Sequence, residues 1–342
     1  MNQKIVLPAE WAPQSGVQLT WPHADTDWRL VLDDAELCFV RIAEEISARE
    51  ILLVVCRDAA AVRGALSNCR QGNLRIVEID CNDTWARDHG GITVLKNGTP
   101  TVLDFTFNGW GKKFESDLDN RITGAMADAN LFFPEVAIED HLDFVLEGGS
   151  IESDGAGTIL TTSTCLLSEN RNDGLNRSQI EYELKRRLGA ERVLWLDHGF
   201  LEGDDTDSHI DTLARFCDTQ TIAYVACDDS DDIHFSALQQ MKNQLESFRT
   251  LNGMPYRLVP LPMADASFDA ADRLPATYAN FLILNHAVLV PVYNSPKDEI
   301  ALQTLKSIFS DRDVVGIDCR VLIKQHGSLH CVTMQYPEGV LR

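Results

Sequence analysis

Short polar clusters recur along this sequence at nearly equal intervals, and this spacing limits the folds open to the chain more than any other feature. Asp88 and Glu147 are 59 positions apart, and Glu147 and His209 are 62 apart. His209 and Cys331 are 122 apart, about twice that interval, and the same step backwards from Asp88 reaches the region of Trp28. Such a period is typical of about five similar units around an axis, each giving one loop to a shared centre. Because no sequence identity between the units is visible, accidental spacing stays open as the alternative.

Helical and strand-like patterns alternate along the sequence. Apolar residues spaced as in a helix run through 31–48, and Ile51–Cys56 follows as an apolar segment typical of a buried strand. Further helices are predicted at 58–69, 175–188, 233–248 and 298–309, and further strands at 74–80, 91–95 and 101–107. This alternation predicts an α/β protein. Because no linker-like stretch interrupts it, we expect residues 1–342 to form one catalytic domain.

The charge balance limits the partners of the chain. With 30 Lys and Arg residues against 52 Asp and Glu residues, the net charge is −22, which repels phosphate backbones and anionic lipids and attracts cations. We therefore expect no nucleic-acid partner and no membrane association. An acidic surface also raises solubility, which by itself accounts for such a charge in many proteins. The sequence leaves a homodimer open.

The cysteines and the apolar segments bear on the compartment. Nine cysteines, an odd number without any C-x-x-C pair, fit neither a zinc site nor a disulfide framework, so we expect mostly buried thiols in a reducing environment. The first residues lack the apolar stretch of a signal peptide, and the apolar segments 51–56 and 281–293 are short or interrupted. These features predict a cytoplasmic protein.

Cys331 is the strongest candidate for a nucleophile. It lies in the segment 330–334, which alternates like a short strand, and Gly327 and Ser328 precede it as a flexible approach to a pocket. A thiolate there would be a strong nucleophile if a base or a cation lowered its pKa. A buried, inert thiol is the ordinary role of a lone cysteine, and we expect it for most of the other eight.

His209 and Asp211 lie two positions apart in an acidic segment that leads into the strand-like residues 212–216. In an extended chain both side chains project to the same side, where an imidazole can transfer protons beside an ion-binding carboxylate. A solvated acidic loop with a hydrogen-bonded core histidine explains this segment equally well.

No metal or cofactor motif in the sequence is complete. A calcium-binding loop that begins at Asp205 would have Ile210 where a glycine is needed and Phe216 where a bidentate acid is needed. There is no HExxH motif or cysteine-rich segment to build a zinc site. The segment 109–111 resembles part of a dinucleotide loop, but Phe114 replaces its last glycine and no Walker sequence is present. We therefore expect no cofactor and no metal.

Two more clusters have ordinary explanations when each is taken alone. The segment 85–88 contains an arginine and an aspartate that could simply pair, and 147–149 could simply be a turn. Together, however, one thiol, one imidazole and several carboxylates suit a planar cation such as guanidinium. Carboxylates bind its N–H groups in paired hydrogen bonds, as they do with arginine, while a thiolate attacks its central carbon.

Seven motifs, found in order from residue 7 to about 336, resemble those of the agmatine deiminase and bacterial-type peptidylarginine deiminase family. Their number and order make chance agreement improbable. They are Leu7–Trp11, Trp85–Asp88, Phe107–Gly111, Leu146–Gly149, Thr161–Leu167, Asp205–Asp211 and His330–Thr333.

The resemblance implies a fold and a set of catalytic roles. The fold is the pentein fold, a five-bladed α/β propeller of ββαβ-type repeats around a central active site. Cys331 is implied to be the nucleophile that forms a covalent amidino-thioether, and His209 to be the general acid and base. Asp88 and Asp211 are implied to hold the guanidinium nitrogens, and Glu147 to support these carboxylates and the imidazole.

For the substrate, the resemblance implies that Trp85 and Trp110 line a narrow entrance and that Asp205 takes part in binding. We expect the small cationic guanidine agmatine to be hydrolysed to N-carbamoylputrescine and ammonia, a step of putrescine biosynthesis. Agmatine suits an acidic site because it lacks the α-carboxylate for which arginine would need a cationic partner. Deimination of peptidyl-arginine or another alkylguanidine is the first alternative. An inactive binder of cationic amines on the same scaffold is the second, and a metal-dependent hydrolase is the third.

Overall fold

The structure, a computed structural model, describes residues 4–342 and has the alternating helices and strands of an α/β protein. The predicted helix 31–48 is confirmed with bounds of Leu32–Ser47, and the predicted 58–69 is shorter, at Ala59–Ala65. Among the described residues, no helix is long and apolar enough to cross a bilayer. The helices are Leu32–Ser47, Ala59–Ala65, Ala86–His89, Gly109–Lys112, Ile122–Asp128, Ser163–Leu166, Arg177–Leu188, Phe235–Ser247 and Lys297–Ile308.

Five sheets within residues 4–342 share one strand pattern: one strand in each is antiparallel to one neighbour and parallel to the other. A separate hairpin, Ser267–Asp269 with Asp272–Leu274, follows the fourth sheet. In spatial order the strands are Thr333–Pro337, Gln14–Thr20, Ile51–Cys56 and Leu74–Glu78 in the terminal sheet; Ile5–Val6, Ile92–Lys96, Thr99–Thr106 and Ala137–Val145 in the second; Arg192–Leu196, Thr158–Thr162 and Ile151–Ser153 in the third; Ala214–Phe216, Thr221–Ala226 and Arg257–Pro262 in the fourth; and Leu282–Ile283, Ala287–Val292 and Asp313–Asp318 in the fifth.

In every sheet a helix lies between the two strands of a parallel pair. Leu32–Ser47, for example, connects Gln14–Thr20 to Ile51–Cys56, and Lys297–Ile308 connects Ala287–Val292 to the edge strand that follows it. Parallel neighbours require a crossover of this kind, because a tight turn can join only antiparallel strands. The repeated unit is therefore an antiparallel pair followed by a helix and a parallel strand.

The terminal sheet joins the two ends of the described chain. Thr333–Pro337 pairs antiparallel with Gln14–Thr20, with Thr333 opposite Leu19. The Tyr336 hydroxyl also donates to the Gln18 side chain at 2.9 Å. The last strand therefore completes a sheet that the first residues of the described chain begin.

Apolar faces hold the layers together. The strand Ile51–Cys56 is almost wholly buried, as expected of a parallel strand covered on both sides, and helix Leu32–Ser47 packs Phe39, Ile42 and Ile46 into the same core. Complete burial of such side chains contributes about 1.5–3 kcal/mol each. This core fixes the ends of the strands from which the polar loops extend.

Two segments that the sequence predicts as extended are turns in the structure. His209 precedes a 3₁₀ turn, Ile210–Thr212, and the strand begins only at Ala214. Cys331 lies in a turn closed by the Thr333 N–H, which donates to the His330 carbonyl at 3.1 Å. Strand alternation was therefore the wrong basis for placing Asp211 beside His209, although the turn brings both side chains to one place.

Candidate active site

Polar loops from all five sheets meet at one point. Each loop comes directly before the first strand of an antiparallel pair, so the repeated topology directs all five to the same end of the molecule. The side chains they carry are Asp88, Glu147, Asp211, Asn280 and Cys331, one from each loop.

Gly149 lies at the centre of this cluster. Its N–H donates to Asp88 Oδ1 at 3.0 Å. A Cβ at position 149 would lie 2.6 Å from His209 Nδ1, 2.9 Å from Asp88 Oδ1 and 3.2 Å from Asp211 Oδ2. Since only glycine leaves this space open, the three side chains can surround it closely enough to contact one small group.

Asp88 is held by hydrogen bonds to both of its oxygens, and Asp211 by a hydrogen bond to one. Trp110 Nε1 donates to Asp88 Oδ2 at 2.9 Å, and His330 Nδ1 lies 2.7 Å from Asp211 Oδ2. Asp211 Oδ1 is buried and has no hydrogen-bond partner within residues 4–342. Burial raises the pKa of Asp88 to about 6, against the charge of His209, which lowers it.

The Cys331 sulfur contacts two of the polar loops. Sγ lies 3.4 Å from Asn280 Oδ1 and 3.9 Å from Asp211 Oδ2, and the Asn280 oxygen also faces the Cys331 N–H at 3.3 Å. Burial raises the pKa of Cys331 well above its ordinary value, and the negative charges of Asp211 and Asp88 raise it further. Without a bound cation the sulfur is therefore a thiol at neutral pH.

His209 is fully buried, and its Nδ1 lies 3.7 Å from Asp88 Oδ1. Burial alone would lower the pKa of the imidazole, but Asp88, Cys165 and Glu147 together outweigh it and raise the pKa well above the ordinary value. Neither ring nitrogen has a hydrogen-bond partner in the described part of the chain. The ring can therefore carry a proton and present it to a bound group.

Glu147 faces away from the sulfur and is held by a buried arginine. Arg171 Nε donates to both Glu147 oxygens, at 2.8 and 3.1 Å. The same guanidinium donates to Asp207 Oδ2 at 2.6 Å and to the Thr206 carbonyl at 2.8 Å. Glu147 therefore links the loop that carries His209 to the third sheet.

A cavity of about 180 Å³ leads from the surface to Cys331. Trp85 and Trp110 form part of its wall, with their rings 6.3 Å apart and nearly perpendicular. Burial raises the pKa of both Asp83 and Asp205 to about 6. Of the described residues that line the cavity, none is a lysine or arginine; the acidic ones are Asp27, Asp83, Asp88 and Asp205.

The loop before His209 has an unusual backbone that Asp204 stabilises. Asp207 and Ser208 both have positive φ, at 64° and 63°, a backbone conformation that residues other than glycine rarely adopt. Asp204 accepts hydrogen bonds from the Ser208 N–H at 2.7 Å and the Thr206 hydroxyl at 2.6 Å. These contacts offset the strain and orient the chain into His209.

Two groups of side chains within residues 4–342 have the composition of a metal site, and an arginine occupies each. Arg171 is paired with Glu147 in the group that also contains Cys165 and His209. In the second group, Glu10, Glu152 and His330, the guanidinium of Arg215 is paired with both carboxylates. A guanidinium already neutralises the acids that would attract a metal ion.

The sequence-predicted residues divide into two sets by position. Cys331, Asp88, Trp85, Trp110 and Asp205 line the cavity itself. Behind them, His209 and Asp211 meet at Gly149, and Glu147 supports the loop of His209.

Four contacting residues were not predicted from the sequence. Asn280 lies in the interval that the spacing leaves between His209 and Cys331, so the period itself was the signal for it. His330 belongs to the quoted motif at Cys331, but its contact with Asp211 depends on the turn. Nothing in the local sequence around Cys165 or Arg171 indicates that they lie near Glu147.

Comparison with known proteins places the chain among deiminases. The model of the Porphyromonas-type peptidyl-arginine deiminase family matches residues 6–337. The agmatine deiminase of Stutzerimonas stutzeri is 33% identical, over 98% of this chain and 96% of the relative. A Porphyromonas gingivalis structure, described provisionally as an arginine deiminase, is 57% identical with a TM-score of 0.96, covering 99% of this chain and 100% of that one.

Two other solved structures extend the comparison. A Cys-to-Ser variant of C. jejuni agmatine deiminase with substrate bound is 37% identical, with a TM-score of 0.93, and covers 100% of this chain and 98% of that one. An amidinotransferase from Microseira wollei is 10% identical with a TM-score of 0.56, over 99% of this chain and 98% of the other, a likeness of fold alone.

Proposed function

Because the chain belongs to the Porphyromonas-type peptidyl-arginine deiminase family, we propose that it is an agmatine deiminase, a hydrolase that converts agmatine to N-carbamoylputrescine and ammonia. One observation carries the choice of agmatine. The cavity that ends at Cys331 is lined by four aspartates and, within residues 4–342, by no lysine or arginine. Such a wall attracts a cation and offers a carboxylate no lysine or arginine as a partner.

Two buried arginines near the site, Arg171 and Arg215, are already paired, and Arg87 does not line the cavity, which disfavours free arginine as the substrate. Arg171 is bound to Glu147 and Asp207, and Arg215 to two further carboxylates. An α-carboxylate in the cavity would meet Asp83 and Asp205 instead of a cation. Agmatine has an ammonium at that end, which these acids stabilise.

The proposed reaction begins when the guanidinium lies between Asp88 and Asp211 and accepts the Cys331 thiolate at its central carbon. The C–S bond forms, one C–N bond breaks, and the His209 imidazolium gives its proton to the departing ammonia. The neutral imidazole then takes a proton from water, whose oxygen attacks the amidino carbon. The C–S bond breaks, the urea group of the product forms, and the thiolate returns.

Ionisation of the thiol is the step that the free site opposes. The charges of Asp88 and Asp211 contribute to the raised pKa of Cys331. A guanidinium bound by these carboxylates neutralises them, so we propose that the substrate itself lowers the pKa of the sulfur and that the thiol proton then leaves to solvent through the cavity. The imidazolium of His209 then adds a second positive charge near the thiolate.

We further propose that the five sheets form the blades of a five-bladed propeller and that residues 1–342 form one catalytic domain. The shared strand pattern, the convergence of five loops and the pairing of the terminal strands support this arrangement. All nine cysteines are unpaired and buried, which supports a reducing compartment such as the cytoplasm.

The function is tested by measuring ammonia release from agmatine, arginine and a blocked arginyl peptide under the same conditions. We expect turnover of agmatine with kcat/KM at least about 100-fold above that of the other two, as for a site that leaves a buried carboxylate unpaired. Preferential turnover of arginine or of the peptide would assign the alternative activity that the family description and the Porphyromonas gingivalis relative suggest. Binding of agmatine without turnover would leave only a cationic-amine binder.

The covalent step has its own test. Enzyme denatured during turnover of agmatine should carry an amidino group on Cys331, detectable by mass spectrometry after digestion. Cys227, a buried thiol remote from the cavity lining, serves as the internal control and should stay unmodified. Steady turnover with no adduct on Cys331 in rapidly quenched samples would contradict the mechanism.

A further inference from the structure

A second cluster of buried charges lies behind Cys331, and Asp211 is its only member that takes part in the proposed reaction. His330 has Nδ1 2.7 Å from Asp211 Oδ2 and Nε2 2.7 Å from Glu10 Oε2. Arg215 Nη2 donates to the same Glu10 oxygen at 2.8 Å, and its Nε bonds to Glu152. All five side chains are more than nine-tenths buried, so their contacts are not exchanged for water.

The contacts of the His330 ring decide its protonation. An ionised carboxylate only accepts hydrogen bonds, and each ring nitrogen faces one at 2.7 Å. A neutral ring has a single N–H, so one of these contacts would bring two acceptors together. Arg215 Nη2 lies 3.0 Å from Nε2 and could donate a hydrogen bond to it. A deprotonated Nε2 and the Glu10 oxygen would still face each other as two acceptors. An imidazolium satisfies both contacts.

The charges around the ring agree with this protonation state. Three acids and three bases form the cluster, and their charges balance only if the imidazole is charged. Arg87 belongs to it because its Nε lies 3.4 Å from the His330 carbonyl and its charge faces Glu10. The members are Glu10, Arg87, Glu152, Asp211, Arg215 and His330.

We propose that His330 is an imidazolium that positions Asp211 for the substrate. The ring holds Asp211 Oδ2, so the side chain is fixed with Oδ1 turned elsewhere. That second oxygen is buried and has no partner among residues 4–342, which leaves it to accept an N–H of the guanidinium. His330 is thus a positioning residue that acts through Asp211.

The electrostatics of Asp211 support this role. Complete burial would raise the pKa of Asp211, yet the pKa is lowered, because the hydrogen bond and charge of His330 outweigh burial, with further help from His209 and Arg215. Removal of the imidazolium would therefore make protonation of Asp211 easier. A protonated Asp211 would lose its charge–charge attraction to the substrate.

A metal ion between Glu10, Glu152 and His330 is the rival explanation of this cluster. Their ligating atoms lie within 4.8 Å of one another. Arg215, however, is bonded to both carboxylates and occupies the position between them. We therefore assign to the cluster the role of orienting Asp211 and not of binding a metal ion. Titration with zinc is one part of the test.

Nitrogen-15 NMR of the histidine rings tests the charge directly on the intact protein. We expect the His330 ring to show two protonated nitrogens at pH 7, and its signal to be the one lost in His330→Gln. If that variant does not fold, the signal that moves in Glu10→Gln identifies the ring instead. A neutral tautomer at pH 7, or a ring signal that shifts stoichiometrically with added zinc, would overturn the proposal.

The kinetic arm rests on the proposed deiminase activity, whereas the NMR arm does not, so the two failures are distinguishable. His330→Gln should lower kcat/KM about 100-fold, and the pKa of Asp211, followed by carbon-13 NMR of its carboxyl group, should rise by about one unit, since the variant lacks the ring that stabilises the carboxylate. Glu10→Gln should act in the same direction but less. His141→Gln, which alters a buried histidine beside Glu139, should leave the pKa of Asp211 unchanged. A loss of rate in His330→Gln without any rise in the pKa of Asp211 would indicate a merely structural role.

Discussion

Burial and two nearby carboxylates oppose ionisation of the Cys331 sulfur. Asp211 Oδ2 lies 3.9 Å from it and the charge of Asp88 acts on it as well, whereas the contact with Asn280 lowers its pKa. At the scale of single residues the site is therefore prepared for a cation and is inert without one. This arrangement restricts thiolate chemistry to molecules that bring a positive charge.

A substitution that removes a negative charge should therefore activate the sulfur while it destroys turnover. In Asp88→Asn we expect the rate of Cys331 alkylation by iodoacetamide to rise at a lower pH than in the wild type, because the pKa of the thiol falls when a nearby anion is lost. Alkylation rates measured by mass spectrometry between pH 6 and 10 check this. Asp269→Asn, on an exposed hairpin, is the matched control. If the rate in Asp88→Asn rises at the same pH as in the wild type or at a higher one, the charge of Asp88 does not raise the pKa of Cys331.

Loss of the Cys331 thiol or of the His209 imidazole should stop the reaction without unfolding the protein. We expect Cys331→Ser and His209→Ala each to lower kcat by about 10⁴-fold or more, because members of one catalytic unit are not replaceable. Cys227→Ser, a change of the same type away from the cavity, should keep near wild-type rates. Ammonia release and thermal unfolding, measured together, separate catalysis from stability. A rate within tenfold of wild type in either variant would contradict the mechanism.

At the scale of elements, helices and central strands could be predicted from the sequence because their apolar periodicity is local. The predicted helix 175–188 corresponds to Arg177–Leu188, and the predicted 233–248 to Phe235–Ser247. The turns at the site could not be predicted, because they depend on tertiary contacts. Ile210–Thr212 forms a turn instead of a strand where Asp207 and Ser208 adopt positive φ.

The candidate site divides in the same way. Cys331 and His209 stand out by residue type and by their place in the repeated spacing, so the sequence was sufficient to identify them. Asn280 and Arg171 lack any local pattern, and only packing shows that they contact the nucleophile and Glu147.

The loop before His209 should be sensitive to its capping aspartate. Asp204→Ala removes acceptors for the Ser208 N–H and the Thr206 hydroxyl, so we expect kcat/KM to fall about 10- to 100-fold as His209 becomes less well placed. Asp218→Ala also removes a turn acceptor, for the Gln220 N–H, but far from the cavity lining. Each substitution should lower the free energy of unfolding by about 0.5–1.5 kcal/mol. Equal activity in the two variants, measured by ammonia release, would show that the cap does not position His209.

At the scale of the whole molecule, five sheets of one pattern explain why residues about 60 positions apart meet. Each unit needs an antiparallel pair, a crossover helix and a parallel strand before the next polar loop begins. The period in the sequence is thus the length of one structural unit. The intervals are unequal around Asn280, since the hairpin 267–274 is inserted before it.

The net charge of −22 belongs to this scale, and its effect on a dicationic substrate can be measured. We expect kcat/KM for agmatine to fall severalfold, by up to about tenfold, as ionic strength rises from about 20 to 300 mM, because salt screens attraction over distances beyond about 10 Å. Alkylation of Cys331 by neutral iodoacetamide should not change over the same range. If kcat/KM is equally insensitive to salt, the surface charge serves solubility alone.

The terminal sheet has a consequence for how the protein regains activity after denaturation. Gln18 and Tyr336, which are bonded across it, are 318 positions apart, so this contact carries a high loop-closure cost and is expected to form late. Cys331 immediately precedes the strand that makes this closure. Refolding chains should regain their far-ultraviolet circular dichroism early while remaining inert towards agmatine. The nucleophile then reaches its place in the site only when the terminal sheet has formed.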